Sequence, residues 1–325
     1  MLVLKVNPKR ISRRKIELAA DLLKEGKLVA FPTETVYGLG ASALDERAME
    51  RVYEVKGRGE MKPLTVHIAD KNDIVRFAKD INPLAEKLMI TFWPGPLTVI
   101  LPKRKEIPPQ ITRTEGVGLR MPDHPIALSL IERAGPLVAP SANLSGFPSP
   151  TSPEMVKEQL DDRIECLIDG GKTPLGIEST VLDLTDKPTI LRTGMIPKEA
   201  IEEVLGEEVE VRERKEEVGF PSCIILIEGD KVEDVIKAIK EIREREGDKV
   251  GIIATKEVIE ALPKSWKKAC WGSREALFSI ARKFFQILNK MKENDILIIE
   301  SPPNKGIGSA MRSRLRKWSR EIIKI

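Results

Sequence analysis

The chain has little of the residue chemistry on which metal sites and secreted scaffolds rest. Its 325 residues include three cysteines, Cys166, Cys223 and Cys270, and two histidines, His67 and His124. The cysteines are odd in number, far apart and in no metal-ligand spacing, which reads as a reducing compartment. No His/Cys cluster is available to build a zinc site. No apolar run approaches membrane-spanning length, and the opening "MLVLKVNPKRISRRKIELAA" is a short apolar start followed by charges, unlike a signal peptide. A soluble, cytoplasmic protein with no membrane association is expected. A large excess of one charge is missing too. The 54 basic and 50 acidic residues leave a net charge of +4, too balanced to announce a nucleic-acid binder. Internal repeats and low-complexity tracts are absent.

What is there is enough chain for two domains and, at 41% hydrophobic, enough apolar surface for packed cores. Charged residues make up 32%, with Lys and Glu dominant, a bias common in hyperthermophiles. Periodicity and breakers give helices in "RRKIELAADLLKEG", "DERAMERVYEVKG", "NPLAEKLMITFW", "HPIALSLIERAG" and "PKEAIEEVLG". Strands fall in "LVAFP", "PLTVHIA", "LTVILP", "VGLRMP", "PLVAP", "ECLIDGG", "STVLDL" and "TILRTG". Helices and strands interleave without strict βαβ order, so an α/β domain with a mixed, twisted sheet is expected over residues 1–207. A charged stretch ending in Gly and Pro reads as a linker over 208–222. Beyond it β and α alternate strictly over 223–325, from "CIILIEG" through "DILIIE" to a terminal helix "GSAMRSRLRKWSREIIKI". That pattern implies a smaller parallel α/β domain.

Four stretches in the first domain concentrate polar chemistry. "FPTETVYGLG" sets Thr33, Glu34, Thr35 and Tyr37 on a turn after a strand, either a capped turn or a ligand site. "KGRGEMK" gathers Lys56, Arg58 and Lys62 around two glycines. Guanidinium and ammonium groups there can hold phosphate oxygens, although the spacing is not that of a Walker loop and a solvated helix end fits equally. Read as exposed cations, Lys56 and Arg58 are expected to matter for activity and little for stability. "APSANLSGFPS" carries Ser141, Asn143, Ser145 and Ser149, and "GIESTVLDL…ILRTG" carries Ser179, Thr180 and Arg192. Hydroxyls and amides bind phosphate, ribose or carboxylate without adding charge, but they also build turns.

The ordered set "FPTETVYGLG", the Lys-x-Arg of "KGR", "KPLTVHI", "FWPGPLTVIL", "GLRMP", "APSANLSG", "GIESTVLDL" and "ILRTG" closely resembles the YrdC-domain family of L-threonylcarbamoyladenylate synthases. The resemblance covers about two-thirds of the chain. The C-terminal region is similar to the extra domain of longer members, so a two-domain, archaeal kind is implied. The resemblance implies a YrdC-like twisted mixed sheet with flanking helices plus a Rossmann-like parallel α/β domain. It also implies an enzyme, a nucleotidyltransferase. Such enzymes condense L-threonine, bicarbonate and ATP into threonylcarbamoyl-AMP with release of pyrophosphate. A separate tRNA threonylcarbamoyl transferase complex then modifies adenosine 37 of tRNA. Carried over residue by residue, Thr33, His67, Arg120 and Ser179 contact threonine. Arg58, Lys62, Ser141, Asn143, Ser149 and Arg192 face ATP, and Lys56, Arg58, Ser141 and Asn143 carry catalysis. Mg²⁺ is expected on the phosphates, with no protein-only metal site.

One departure concerns the linker. Two-domain relatives carry a segment resembling Pro-Gly-Met-Lys…His-Tyr-Ser/Ala-Pro that folds over the active site, whereas this chain has "RKEEVGFPSC". Slow turnover is expected from it, to be raised by inserting a His-Tyr-Ser-Pro segment between Val218 and Phe220. Two rivals remain at this level. One is a basic YrdC-like module that binds RNA weakly without chemistry; the other is a carbamoyltransferase, whose zinc-finger segments this chain has no cysteine spacing to form.

Overall fold

The computed structural model describes residues 1–57, 62–213, 220–247 and 249–325. Arg58 and residues 214–219 of the expected linker lie outside the described residues. The chain forms two compact units, Met1–Ser145 with Ser149–Arg214, and Gly146–Pro148 with Lys215–Ile325.

The first unit runs β1 (Leu2–Lys5), α1 (Arg13–Lys24), β2 (Val29–Pro32), β3 (Tyr37–Ser42), α2 (Glu46–Lys56), β4 (Thr65–His67), α3 (Pro83–Phe92), β5 (Leu97–Pro102) and β6 (Gly116–Arg120). It continues with α4 (Pro125–Ala134), β7 (Leu137–Val138), α5 (Pro153–Leu160), β8 (Cys166–Asp169), β9 (Thr180–Asp183), β10 (Thr189–Arg192), α6 (Lys198–Leu205) and β11 (Glu210–Val211). Among the described residues the strands join in the order β1-β8-β2-β3-β7-β4-β6-β5-β9-β10-β11. The sheet is mixed: β4 and β6 run parallel, as do β5 and β9, while β5 and β6, and β9 and β10, run antiparallel.

Strand alternation supplies two cores. Val29 and Phe31 of β2 pack with α1 and α4, while Leu28 and Ala30 face the other core with Met49 and Val52 of α2. The start of β1 pairs with β8, more than 160 residues away, so the short apolar opening of the chain is a strand.

Helix α2 shows how sequence sets local structure. Asp45 caps it by accepting from the Ala48 amide at 3.1 Å, and it stops at Gly57, whose φ of +61° suits a residue without Cβ. Its buried stripe is Met49, Val52, Tyr53 and Lys56, spaced three and four apart. A lysine therefore occupies a core-facing position.

The second unit runs β12 (Cys223–Glu228), α7 (Val232–Glu246), β13 (Val250–Ala254), α8 (Lys256–Ala261), β14 (Lys268–Cys270), α9 (Leu277–Met291), β15 (Ile296–Glu300), α10 (Ile307–Trp318) and β16 (Ser319–Lys324). Its strands pair in the order β14-β13-β15-β12-β16, all parallel. Ile225, Ile227, Ile252 and Ile298 meet Val235, Ile239 and Ile242 of α7 in its core. The expected terminal helix is shorter than its sequence suggested. It ends at Trp318, and Ser319–Lys324 is an edge strand on β12 with alternating exposure. Backbone pairing with the buried β12 outweighs the weak local helical pattern of this segment. No helix among the described residues is long and apolar enough to cross a membrane.

Candidate active site

The β2–β3 turn is locked by Thr33. Its hydroxyl donates to the Val36 carbonyl at 2.7 Å, accepts from the Thr35 and Val36 amides, and lies 2.9 Å from the Thr35 hydroxyl. The turn is then tied to other segments through backbone bonds: the Leu175 amide donates to Glu34 O, the Gly176 amide to Thr35 O, and the Ala142 amide to Tyr37 O. Thr33, Glu34 and Thr35 are all buried.

Arg120, the last residue of β6, reaches this turn. Its Nη2 donates to Glu34 Oε1 at 2.6 Å and to Thr35 Oγ1 at 2.9 Å, and its Nε to the Gly95 carbonyl at 3.4 Å. The pair is almost fully buried, with side-chain exposures of 6% and 5%. His67 ends the neighbouring strand β4 in register with Arg120. Burial, and then the Arg120 charge, push the His67 imidazole down to about 3, so it is neutral at physiological pH. Its Nδ1 lies 3.3 Å from the Thr65 carbonyl.

Ser179 and Arg192 are joined directly. Arg192 donates through Nε and Nη2 to Ser179 O at 3.1 and 2.9 Å, and through Nη2 to Ser179 Oγ at 3.0 Å. Ser179 Oγ also lies 2.8 Å from Thr98 Oγ1 of β5. Gly194 makes this junction possible, since a Cβ there would sit 2.4 Å from the Ser179 carbonyl carbon and the Thr180 amide nitrogen. Ser149 donates to Glu178 Oε1 at 2.6 Å, which brings the "APSANLSGFPS" stretch to the "GIEST" stretch.

Lys56 departs from its expected setting. It is 2% exposed, and its ammonium donates to the carbonyls of Ser141 and Asn143, the latter at 2.7 Å. Its own carbonyl accepts from the Ser145 amide at 2.8 Å. The reading of Lys56 as an exposed cation is therefore corrected. The sequence shows only a helix end before a glycine, whereas the helical stripe points the side chain inward, where loop carbonyls compensate its charge. Lys62 sits beside the same helix, its carbonyl accepting from the Tyr53 hydroxyl at 2.7 Å.

Contacts thus gather Thr33, His67, Arg120, Ser179 and Arg192 into one polar region. Lys56 holds the loop that carries Ser141 and Asn143, and Ser149 joins through Glu178. Four further residues belong to this network: Glu34, Thr35, Thr98 and Glu178. Glu34, Thr35 and Glu178 lie inside stretches already rich in signal, but their partners are far away in sequence. Thr98 sits in an apolar strand and carries no signal of its own.

The family described as Telomere recombination, which groups Sua5, YciO and YrdC, matches residues 21–194, and the Threonylcarbamoyl-AMP synthase C-terminal domain matches residues 196–318. A threonylcarbamoyl-AMP synthase of Pyrococcus abyssi is 42% identical over 97% of both chains. The chain belongs to the threonylcarbamoyl-AMP synthase family. The synthase of Bacillus subtilis is also 42% identical, over 93% of this chain and 92% of its own, so identity does not single out an archaeal kinship. The crystal structure of P. abyssi Sua5 complexed with L-threonine superposes with a TM-score of 0.92 at 41% identity, covering 100% of both chains. Membership of this family makes the chain an enzyme of the threonylcarbamoyl-AMP synthase type and does not favour the reading as an RNA-holding module.

Proposed function

We propose that the first unit condenses L-threonine, bicarbonate and MgATP into threonylcarbamoyl-AMP and pyrophosphate, with roles divided along the contact network. Arg120 takes the threonine carboxylate, and neutral His67, Thr33 and Ser179 line its remaining surface. Arg192, Lys62, Arg58, Ser149, Ser141 and Asn143 face the nucleotide, with Lys56 holding the loop of Ser141 and Asn143 in place. Bicarbonate loses hydroxide to give CO₂, the neutral threonine amine adds to its carbon, and the amine proton leaves with that hydroxide as water, giving a carbamate. A carbamate oxygen then attacks the α-phosphorus, and pyrophosphate leaves. The nucleophiles come from the substrates, so the protein supplies position and positive charge. Mg²⁺ enters as part of the ATP substrate and neutralises phosphate charge. Among the described residues no three His, Cys, Asp or Glu side chains stand together as a cage. The product passes to a separate complex that modifies adenosine 37 of tRNA.

The observation that carries this reading is the junction of Arg120, His67, Ser179 and Arg192 in a chain related over nearly its full length to named synthases. The deciding assay mixes the full chain with labelled bicarbonate, ATP and threonine and follows labelled adenylate and pyrophosphate. Both must depend on threonine, with serine turned over more slowly by about 1–3 kcal/mol of discrimination for one methyl group. Pyrophosphate release without threonine would sink the reading.

A further inference from the structure

Glu34 has no part in the roles above, yet it is the buried carboxylate closest to them. It is 4% exposed; Oε1 is taken by Arg120 at 2.6 Å, and Oε2 has no hydrogen-bond partner among the described residues. A buried carboxylate oxygen left without a donor is unfavourable, and it calls for a donor from outside the chain, a water or a ligand group. Arg120 is incomplete in the same way. Its Nη2 and Nε have partners, while Nη1 donates to nothing among the described residues. One buried ion pair thus leaves an unsatisfied acceptor at its negative end and an unused donor at its positive end.

That arrangement is complementary to a zwitterion. We propose that Glu34 is the ammonium receptor of the amino-acid site, so that the Glu34–Arg120 pair selects a free α-amino acid by its two charges together. The proposal rests on the reading of this region as the threonine site. A lone arginine would accept any carboxylate. With Glu34 beside it, a carboxylate without an ammonium must face an anion and leaves Oε2 unsatisfied, so the site discriminates against it. His67 stands next to Arg120 in register and is neutral, so it does not repel the ammonium. The Thr35 hydroxyl, bonded to the same Nη2, keeps the guanidinium in place while its open nitrogen takes the ligand.

The test titrates the full chain, without ATP, with L-threonine and with 3-hydroxybutanoate, which is threonine without its ammonium. Wild type should bind 3-hydroxybutanoate roughly 10- to 100-fold more weakly than threonine, the range expected for one charged hydrogen bond. Glu34→Gln should weaken threonine by a similar factor while leaving 3-hydroxybutanoate within about threefold, so that the preference collapses. A purely structural Glu34 would weaken both ligands together, and an unchanged preference in Glu34→Gln overturns the proposal. So does equal binding of both ligands by wild type, which needs no variant. Should Glu34→Gln not fold, Glu34→Asp keeps the charge at shorter reach. Its preference should fall part-way, and an unchanged one again overturns the proposal. Arg120→Lys separates the two levels of inference. It should weaken both ligands; if it weakens neither, or if wild type binds no threonine, the assignment of the site falls and the role of Glu34 falls with it.

Discussion

Each unit of the molecule buries carboxylates against arginines at the ends of strands, and the two units finish the job differently. In the second unit Glu228 closes β12 and Glu300 closes the adjacent β15. Both oxygens of Glu228 are held by Arg312 and Arg316, at 2.5–2.9 Å. Glu300 is equally saturated: Arg274 takes Oε1 at 2.7–2.8 Å, and the Thr255 amide and hydroxyl take Oε2 at 2.6 and 2.7 Å. In the first unit Arg120 holds only one oxygen of Glu34. Ion pairing as such is therefore no mark of a site. The distinction lies in whether every lone pair is used: a saturated cluster braces the fold, and an unsaturated one is prepared for something else.

The sharpest way to break this comparison is to remove the arginine from each side. Arg120→Ala should reduce threonine-dependent pyrophosphate release by about 10³-fold or more, because the proposed role makes Arg120 the partner of the threonine carboxylate and a positive charge near the reacting groups. The double variant Arg312→Ala/Arg316→Ala should instead lower unfolding stability by about 3–5 kcal/mol, since it strands Glu228 as a buried charge. Its threonine dissociation constant should match wild type. A shifted constant with unchanged denaturant midpoint would reverse the roles assigned to the two clusters.

Lys56 tests whether a group can brace and serve at once. Lys56→Ala should lower turnover by about 100-fold and stability by about 1–3 kcal/mol, because two loop carbonyls lose a buried donor. A calorimetric midpoint equal to wild type would restore the picture of a solvated cation.

Acid offers a gentler probe. Burial alone would raise the Glu228 carboxyl, but hydrogen bonds from Arg316 and Arg312 outweigh it and hold it down to about 2, from an ordinary 4.5. The folded value lies below the unfolded one, so the unfolded chain takes up the proton first. The contribution, at most about 3 kcal/mol, is present above pH 4.5 and fades as the pH falls towards 2. Tryptophan fluorescence from Trp266, Trp271 and Trp318 reports on this unit, and its acid midpoint should rise in Arg316→Ala. The smallest effect belongs to His67. Because it stays neutral down to about pH 3, threonine affinity should show no inflection near 6.5 that disappears in His67→Gln.

Much of the architecture was legible because local signals and tertiary structure agree. The stop at Gly57 and the strict alternation after Cys223 both follow from neighbouring residues. The misread segment depends on a distant partner. Ser319–Lys324 becomes a strand because β12, almost 100 residues earlier, offers an open edge. The site follows the same division. Its polar stretches announce themselves, as Thr33, Ser141 and Ser179 do. The Glu34–Arg120 bond spans 86 positions, and the Ser149–Glu178 bond spans 29. Neither could be inferred from spacing, and the inward turn of Lys56 was hidden by the ordinary preference of lysine for water.

Gly194 sets a tolerance for the whole junction. With no side chain it lies against the backbone between Ser179 and Thr180, so the alignment of Ser179 with both Thr98 and Arg192 is fixed by contact distance. A single methyl group there has nowhere to go except by pushing β9 and the end of β10 apart. Ser179 and Arg192 would then be drawn apart, although every polar group remained present. The spacing between these two polar side chains is, in this sense, gauged by a residue that has no functional group at all.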